Sequence, residues 1–243
     1  MAGTAAVAAV ALGAALAVTG GSARLPFLTG VSVDRPVPAL PLKDERGRQT
    51  SLSAFHGRIV VLTPFLTLCH EVCPLTTGAF QTIQRDLDRA GLADKVVLAE
   101  VSVDPWRDTP SRLRAFARFT GTRFPLLTGS AAQLARFWRF FGVDYRRTGE
   151  GTPPDSDWLT GEPLTFDVSH TDGLFLIDRT GQERVVDVGM PHVGTSLPRV
   201  LGGLLNPEGR TDLAHPEPGW TVTQALDDVE RLLGRPIPTP PGR

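Results

Sequence analysis

RIVVLTPFLTLCHEVCPLTTGAFQTIQRDLDRAG, residues 58–91, decides the reading of this chain. Its first part, RIVVLTPFL (58–66), is an almost continuous apolar run rich in β-branched residues, the pattern of a buried strand. In its second part Leu75, Ala79, Ile83, Leu87 and Ala90 recur every three or four residues. That spacing makes one apolar helix face, and Gly91 stands where a C-cap glycine belongs. CHEVCP (69–74) lies between the two parts. VVLAEVSV (96–103) is a second buried strand, so strand, helix and strand predict a parallel pair joined by a crossover helix.

Toward the carboxyl terminus, Thr109-Pro110 is an N-cap followed by a first-turn proline and opens a helix over SRLRAFARF. FPLL (124–127) reads as a short strand, and Ser130 opens a helix over SAAQLARFWRFF (130–141). Residues 148–165, with three prolines and three glycines, form a loop or irregular hairpin. LFLID and RVVDVG alternate around Asp178-Arg179-Thr180-Gly181, an antiparallel hairpin. Residues 190–220 are an irregular, Pro- and Gly-rich insertion with one helical patch, and Thr221 with Gln224 forms a capping box for the last helix, 225–234. Toward the amino terminus, KDERGRQTSLSAFHG (43–57) reads as a turn and a short helix, and the four prolines of 24–41 read as a tether or extended lead-in. The expected architecture is α/β, a central mixed sheet with helices on both faces. It occupies one domain, residues 31–235, followed by a flexible tail, 236–243.

Residues 1–30 stand apart. No charged side chain precedes Arg24, and Ala5 to Val18 is a run of Ala, Val, Leu and one Gly, which reads as a signal peptide or membrane anchor followed by a linker. Gly21-Ser22-Ala23 supplies a small-residue cleavage site. The expected location is extracytoplasmic, either membrane-anchored or secreted. The whole chain carries 25 basic and 26 acidic residues, a net charge of −1, which argues against nucleic acid as a partner. With 41% hydrophobic residues it is no disordered chain, and with 2 cysteines it has neither a disulfide framework nor an all-cysteine zinc site.

Those 2 cysteines, Cys69 and Cys73, are four residues apart between a strand and a helix. If the helix begins there, both lie on one face, where the thiols would either close a redox-active disulfide or clamp one soft metal ion. A helix N-terminus favours thiolate, which both uses require. Two thiolates suit Cu(I), and an imidazole would complete a trigonal site. His56, His70, His170, His192 and His215 are the candidates for that imidazole.

Three separated stretches carry a resemblance. CHEVCP (69–74), VSVDPWRDTP (101–110) and DVSHTDGLFLID (167–178) resemble, in this order, the Cys-x-x-x-Cys-Pro motif, the Asp-Pro segment and the ligand-histidine segment of the SCO/SenC copper chaperones. The resemblance runs from about residue 35 to 190. It implies a thioredoxin-like fold, copper as the metal, Cys69, Cys73 and His170 as its ligands, and Asp104 close by, shaping the site. It implies a metallochaperone that delivers copper to the copper A subunit of cytochrome c oxidase, or to another exported copper protein. His70, inside the motif, reads either as a fourth or transient ligand or, with Glu71, as an exposed polar pair. His192 with Met190 reads as a loop rather than as auxiliary ligands, and Arg107 as a surface charge available for docking.

A different class uses the same cysteines: an extracytoplasmic thiol–disulfide oxidoreductase acting on a partner's disulfide. It needs an attacking and a resolving thiol but no imidazole, and reductases of the thioredoxin type space their cysteines by two residues rather than three. The role of His170 separates the two readings.

Overall fold

The structure, a computed structural model, describes residues 30–194, 197–216 and 219–237. The N-terminal apolar run and the last six residues, where a signal or anchor and most of the tail are expected, lie outside these. Among the described residues no helix is long and apolar enough to cross a membrane.

The chain opens with β1 (Val31–Pro36), β2 (Leu42–Asp44) and β3 (Gln49–Thr50), then a 3-10 turn at Leu52–Phe55. The crossover unit follows as β4 (Ile59–Phe65), α1 (Val72–Arg89) and β5 (Val96–Ser102). Next come α2 (Pro110–Thr120), β6 (Leu126–Thr128), α3 (Ala131–Phe141), β7 (Tyr145–Thr148) and β8 (Asp167–His170). The hairpin β9 (Gly173–Ile177) and β10 (Gln182–Val188) leads to β11 (Pro191–His192), α4 (Arg199–Gly202), α5 (Pro207–Ala214), β12 (Trp220–Thr221) and α6 (Val222–Leu233). The caps expected at Thr109, Ser130 and Thr221 are all formed, the last two as capping boxes.

One eight-stranded sheet runs β1-β10-β9-β4-β5-β6-β2-β3. The strands β4, β5 and β6 are parallel, while β9 and β2 join them antiparallel on either side. Every residue of β4 and β5 is buried, as continuous apolar runs require. Pro64 stands inside β4, yet the pairing with β9 ends at Leu62, so the sheet opens on that side where the strand reaches the motif.

Two segments differ from the sequence expectation, whereas 148–165 forms the irregular hairpin expected of it. Residues 31–36 form an edge strand on β10 rather than a tether, and Pro36 falls at its end, where a missing N–H is tolerated. Residues 148–165 connect the paired strands β7 and β8. The insertion 190–220 is largely built: β11 pairs with β12, and Leu197 packs against Gly78 of α1 so closely that a Cβ there would lie 2.3 Å from Leu197 Cδ1.

Candidate metal centre

The motif turn is held before it does any chemistry. Asp108, buried at the start of α2, accepts a 2.6 Å hydrogen bond from Thr67 Oγ1 and a 2.7 Å bond from Ser102 Oγ. Trp158 Nε1 donates to Thr67 O at 2.7 Å. Burial, and then the neighbouring Asp104 carboxylate, push the Asp108 carboxyl up to about 7.

Cys69 sits in this turn, not on the helix, because α1 begins only at Val72. The two cysteines meet in another way than through a shared helix face: Cys73 N–H donates to Cys69 Sγ at 3.4 Å, so the first sulfur caps a helix whose N-cap residue offers no side-chain bond. Both cysteines are unlinked, Cys69 half-buried and Cys73 buried. The expectation that the helix end favours thiolate fails at Cys73. Burial pushes its thiol well up, Cys69 and Asp172 add to the shift, and only the N–H of Leu66 opposes it.

His170 arrives from 97 residues further along the chain, with Nε2 3.7 Å from Cys73 Sγ. Two features bring it there. The strand β9 lies against β4, and Thr63 Oγ1 bonds Gly173 O at 3.0 Å, which ties the end of β4 to the residues just after His170. The segment before β8 is tied by Arg107, whose Nη1 donates to Phe166 O at 2.6 Å and whose guanidinium lies 3.9 Å from the Phe166 ring centroid. The His170 side chain is only 6% exposed. Its Nδ1 lies 3.2 Å from Thr171 O, a pure acceptor, so Nδ1 carries the proton and Nε2 keeps its lone pair for the sulfurs or a metal.

Asp104 is fully buried and does not touch the sulfurs; it accepts from Trp106 N at 3.2 Å and pairs with Arg107 Nε at 2.5 Å. Through Arg107 it braces the segment that carries His170. Arg107 is therefore no surface charge, its side chain being 15% exposed and shared between Asp104 and Phe166. His192 lies in β11, paired with Thr221, rather than in a loop. His70 is not an exposed partner of Glu71: its Nδ1 is 2.7 Å from Leu204 O, and Asn206 N–H donates to its carbonyl at 2.9 Å. The insertion is thus packed on the motif turn. Sequence reasoning missed this contact and missed Asp108, and its local signals are the Thr67 hydroxyl before the motif and a glycine, Gly209, in α5.

A cleft of about 150 Å³ opens onto Cys69, His70 and His170. Five carboxylates, Glu71, Glu150, Asp155, Asp167 and Asp172, line it without a lysine or arginine. Burial, their mutual repulsion or both raise the carboxyls of Glu71, Glu150 and Asp172. Such a cleft attracts a cation. Among the described residues no three His, Cys, Asp or Glu side chains are arranged to hold a metal ion as they stand, so metal binding requires the side chains to turn inward. The donor set itself, two sulfurs and an imidazole with a prepared lone pair, suits a soft ion.

Comparison with known proteins comes to the same region. The SCO1/SenC family model matches residues 37–189. A putative copper-binding protein of Stutzerimonas stutzeri is 27% identical over 175 residues, covering 72% of this chain and 79% of that one. The mitochondrial SCO2 homolog of Bos taurus is 29% identical over 134 residues, 55% of this chain and 50% of the bovine protein. The apo Sco1 protein of Thermus thermophilus superposes with a TM-score of 0.52 at 27% identity, over 66% of this chain and 85% of that one. The mixed sheet with flanking helices is thioredoxin-like.

Proposed function

Because the chain belongs to the SCO1/SenC family, we propose that it is a copper metallochaperone that loads the copper A centre during cytochrome c oxidase assembly. The single observation that carries this reading is the approach of His170 Nε2 to Cys73 Sγ across 97 residues of sequence. A dithiol reductase has no use for that imidazole. A Cu(I) carrier does, because two thiolates and one imidazole make a trigonal soft site with a net charge of −2 + 1 = −1. Cys69, Cys73 and His170 are the proposed ligands, and Asp104 positions His170 through Arg107. Both sulfurs bind the ion as thiolates, so the proton held by the buried Cys73 thiol passes to solvent as Cu(I) takes its place. Burial keeps Cys73 a thiol in the empty site, and the acidic cleft draws the cation in. The work is placed outside the cytoplasm, in line with the apolar residues 5–18.

The test is a Cu(I) titration under reducing conditions. Wild type is expected to take one ion per chain, and His170→Ala and Cys69→Ser to lose it. A second reading, the thiol–disulfide oxidoreductase, draws support from the half-buried Cys69 beside the buried Cys73, an accessible attacking thiol with a sheltered resolving one. In that reaction the two thiols become a disulfide while the partner's disulfide becomes two thiols. Unchanged copper affinity in His170→Ala would favour it.

A further inference from the structure

The ligand set proposed above leaves one metal-ligating side chain of the motif turn unused. His70 lines the same cleft as Cys69 and His170. Its Nδ1 faces the Leu204 carbonyl at 2.7 Å. A carbonyl only accepts, so Nδ1 is the protonated nitrogen and Nε2 holds a lone pair. That Nε2 is buried and has no hydrogen-bond partner among the described residues. A buried acceptor left unpaired costs about 1–3 kcal/mol, a cost that a ligand on Nε2 would offset.

The construction repeats that of His170, where Nδ1 is tied to the Thr171 carbonyl and Nε2 is left for the sulfur. Anchoring one ring nitrogen on a carbonyl is how a metal-binding imidazole is oriented and its tautomer fixed. For His70 the anchor is the insertion. Asn206 N–H bonds the His70 carbonyl at 2.9 Å, and Asn206 Oδ1 in turn caps α5 through Gly209 N–H at 2.9 Å. The close approach depends on Gly209, where a Cβ would lie 2.6 Å from His70 O and 2.9 Å from Glu71 Cα. The insertion thus sets the orientation of a side chain inside the copper motif.

We propose that His70, through Nε2, is a further copper ligand that extends the Cys69–Cys73–His170 site to four donors and adapts it to Cu(II). Cu(I) is satisfied by three soft donors, whereas Cu(II) takes a tetragonal set in which a second imidazole is well suited. The inference rests on the copper-binding reading, and its test separates the two. Asparagine at this position can donate its amide N–H to the Leu204 carbonyl and has nothing in place of Nε2. His70→Asn is therefore expected to keep the wild-type thermal midpoint and Cu(I) affinity. Its Cu(II) affinity should fall by at least about 10–100-fold, the loss seen when only an outer-shell partner of a ligand is removed.

Pulsed EPR of the Cu(II)-loaded full chain should count two imidazoles in wild type and one in His70→Asn. One imidazole in wild type, or two in the variant, overturns the proposal. If the asparagine variant fails to fold, His70→Gln takes its place: one imidazole in that variant supports the proposal, and two overturn it. Failure of wild type to bind copper at all would instead overturn the metallochaperone reading.

Discussion

Replacing Arg107 by methionine tests whether the brace behind His170 exists. Asp104 is fully buried, and Arg107 is its side-chain partner at 2.5 Å. Breaking a buried pair from one side costs about 3–5 kcal/mol because the other charge stays behind. Backbone N–H groups of Trp106 and Arg107 still reach Asp104 Oδ1, at 3.2 and 3.1 Å, which puts the cost at the lower end, about 3 kcal/mol. The lost bond to Phe166 O adds about 1 kcal/mol. A total of about 4 kcal/mol lowers the thermal midpoint of a domain this size by roughly 8–16 °C. Unfolding of wild type, Arg107→Met, Asp104→Asn and the double variant closes a cycle. The double variant removes the stranded charge, so its loss should fall short of the sum of the single losses by about 2–3 kcal/mol. The Cu(I) affinity of Arg107→Met should fall too, because Phe166, just before β8, is released. A single variant within about 1 kcal/mol of wild type, or strict additivity, would refute the brace. So would full stability loss with unchanged copper affinity, because Arg107 would then hold the fold without placing His170.

Glu100 is fully buried in β5, accepts a 2.9 Å bond from Thr77 Oγ1, and has its other oxygen unpartnered among the described residues. Burial pushes its carboxyl up to about 8, so the folded state keeps a proton that the unfolded chain loses near pH ~4. Because the native state then binds the extra proton, its stability falls as pH rises through that interval and levels off above it. Glu100→Gln keeps the acceptor for Thr77 and should flatten the profile, matching wild type near pH ~4 and exceeding it at pH ~9 in urea denaturation; parallel curves would refute the assignment. Gly209→Ala gains about 1 kcal/mol of helix propensity but drives a methyl into the His70 and Glu71 backbone, an overpacking worth about 1–3 kcal/mol. Net destabilisation, with faster hydrogen exchange at Asn206 N–H, is expected; a stabilised protein with unchanged exchange would show that the insertion does not press on the motif.

What the sequence showed of this protein was what neighbouring residues decide among themselves. The apolar run before Cys69, the helix period after Cys73, the capping boxes at Ser130 and Thr221 and the hairpin around Gly181 are local patterns, and each has its element in the structure. Local pattern does not fix where α1 starts, nor the way the sulfurs meet, because Cys69 caps the helix instead of joining it. The protonation of Cys73 escapes local reading for a different reason. A helix end supplies a partial charge, but full burial of the sulfur outweighs it, and burial depends on what the rest of the chain lays over the site.

The strands that carry the site's second half are where local reasoning stops. Nothing in YRRT announces β7, because its residues are polar and its partner β8 lies beyond a long Pro- and Gly-rich connection. Nothing in the periodicity of β9 says that it lies beside β4 and not at an edge, yet that choice puts His170 at the cysteine turn. The resemblance of DVSHTDGLFLID to a ligand segment filled this gap because a family pattern records long-range pairing that one sequence does not. It could not do the same for Arg107 or His70. Arg107 is buried by Phe166, and His70 is oriented by Leu204, 134 residues away in the insertion. Both are polar side chains in short loops, where exposure is the default expectation. Each was brought under cover by a segment whose docking depends on shape: a ring stacked on a guanidinium in one case, a glycine with no Cβ in the other. The copper reading draws on the first kind of information, and the role assigned to His70 draws entirely on the second. A chain with the same motif but a bulky residue at 209 would keep Cys69, Cys73 and His170, lose the anchor on His70 Nδ1, and show the weakened Cu(II) binding expected of the His70→Asn variant.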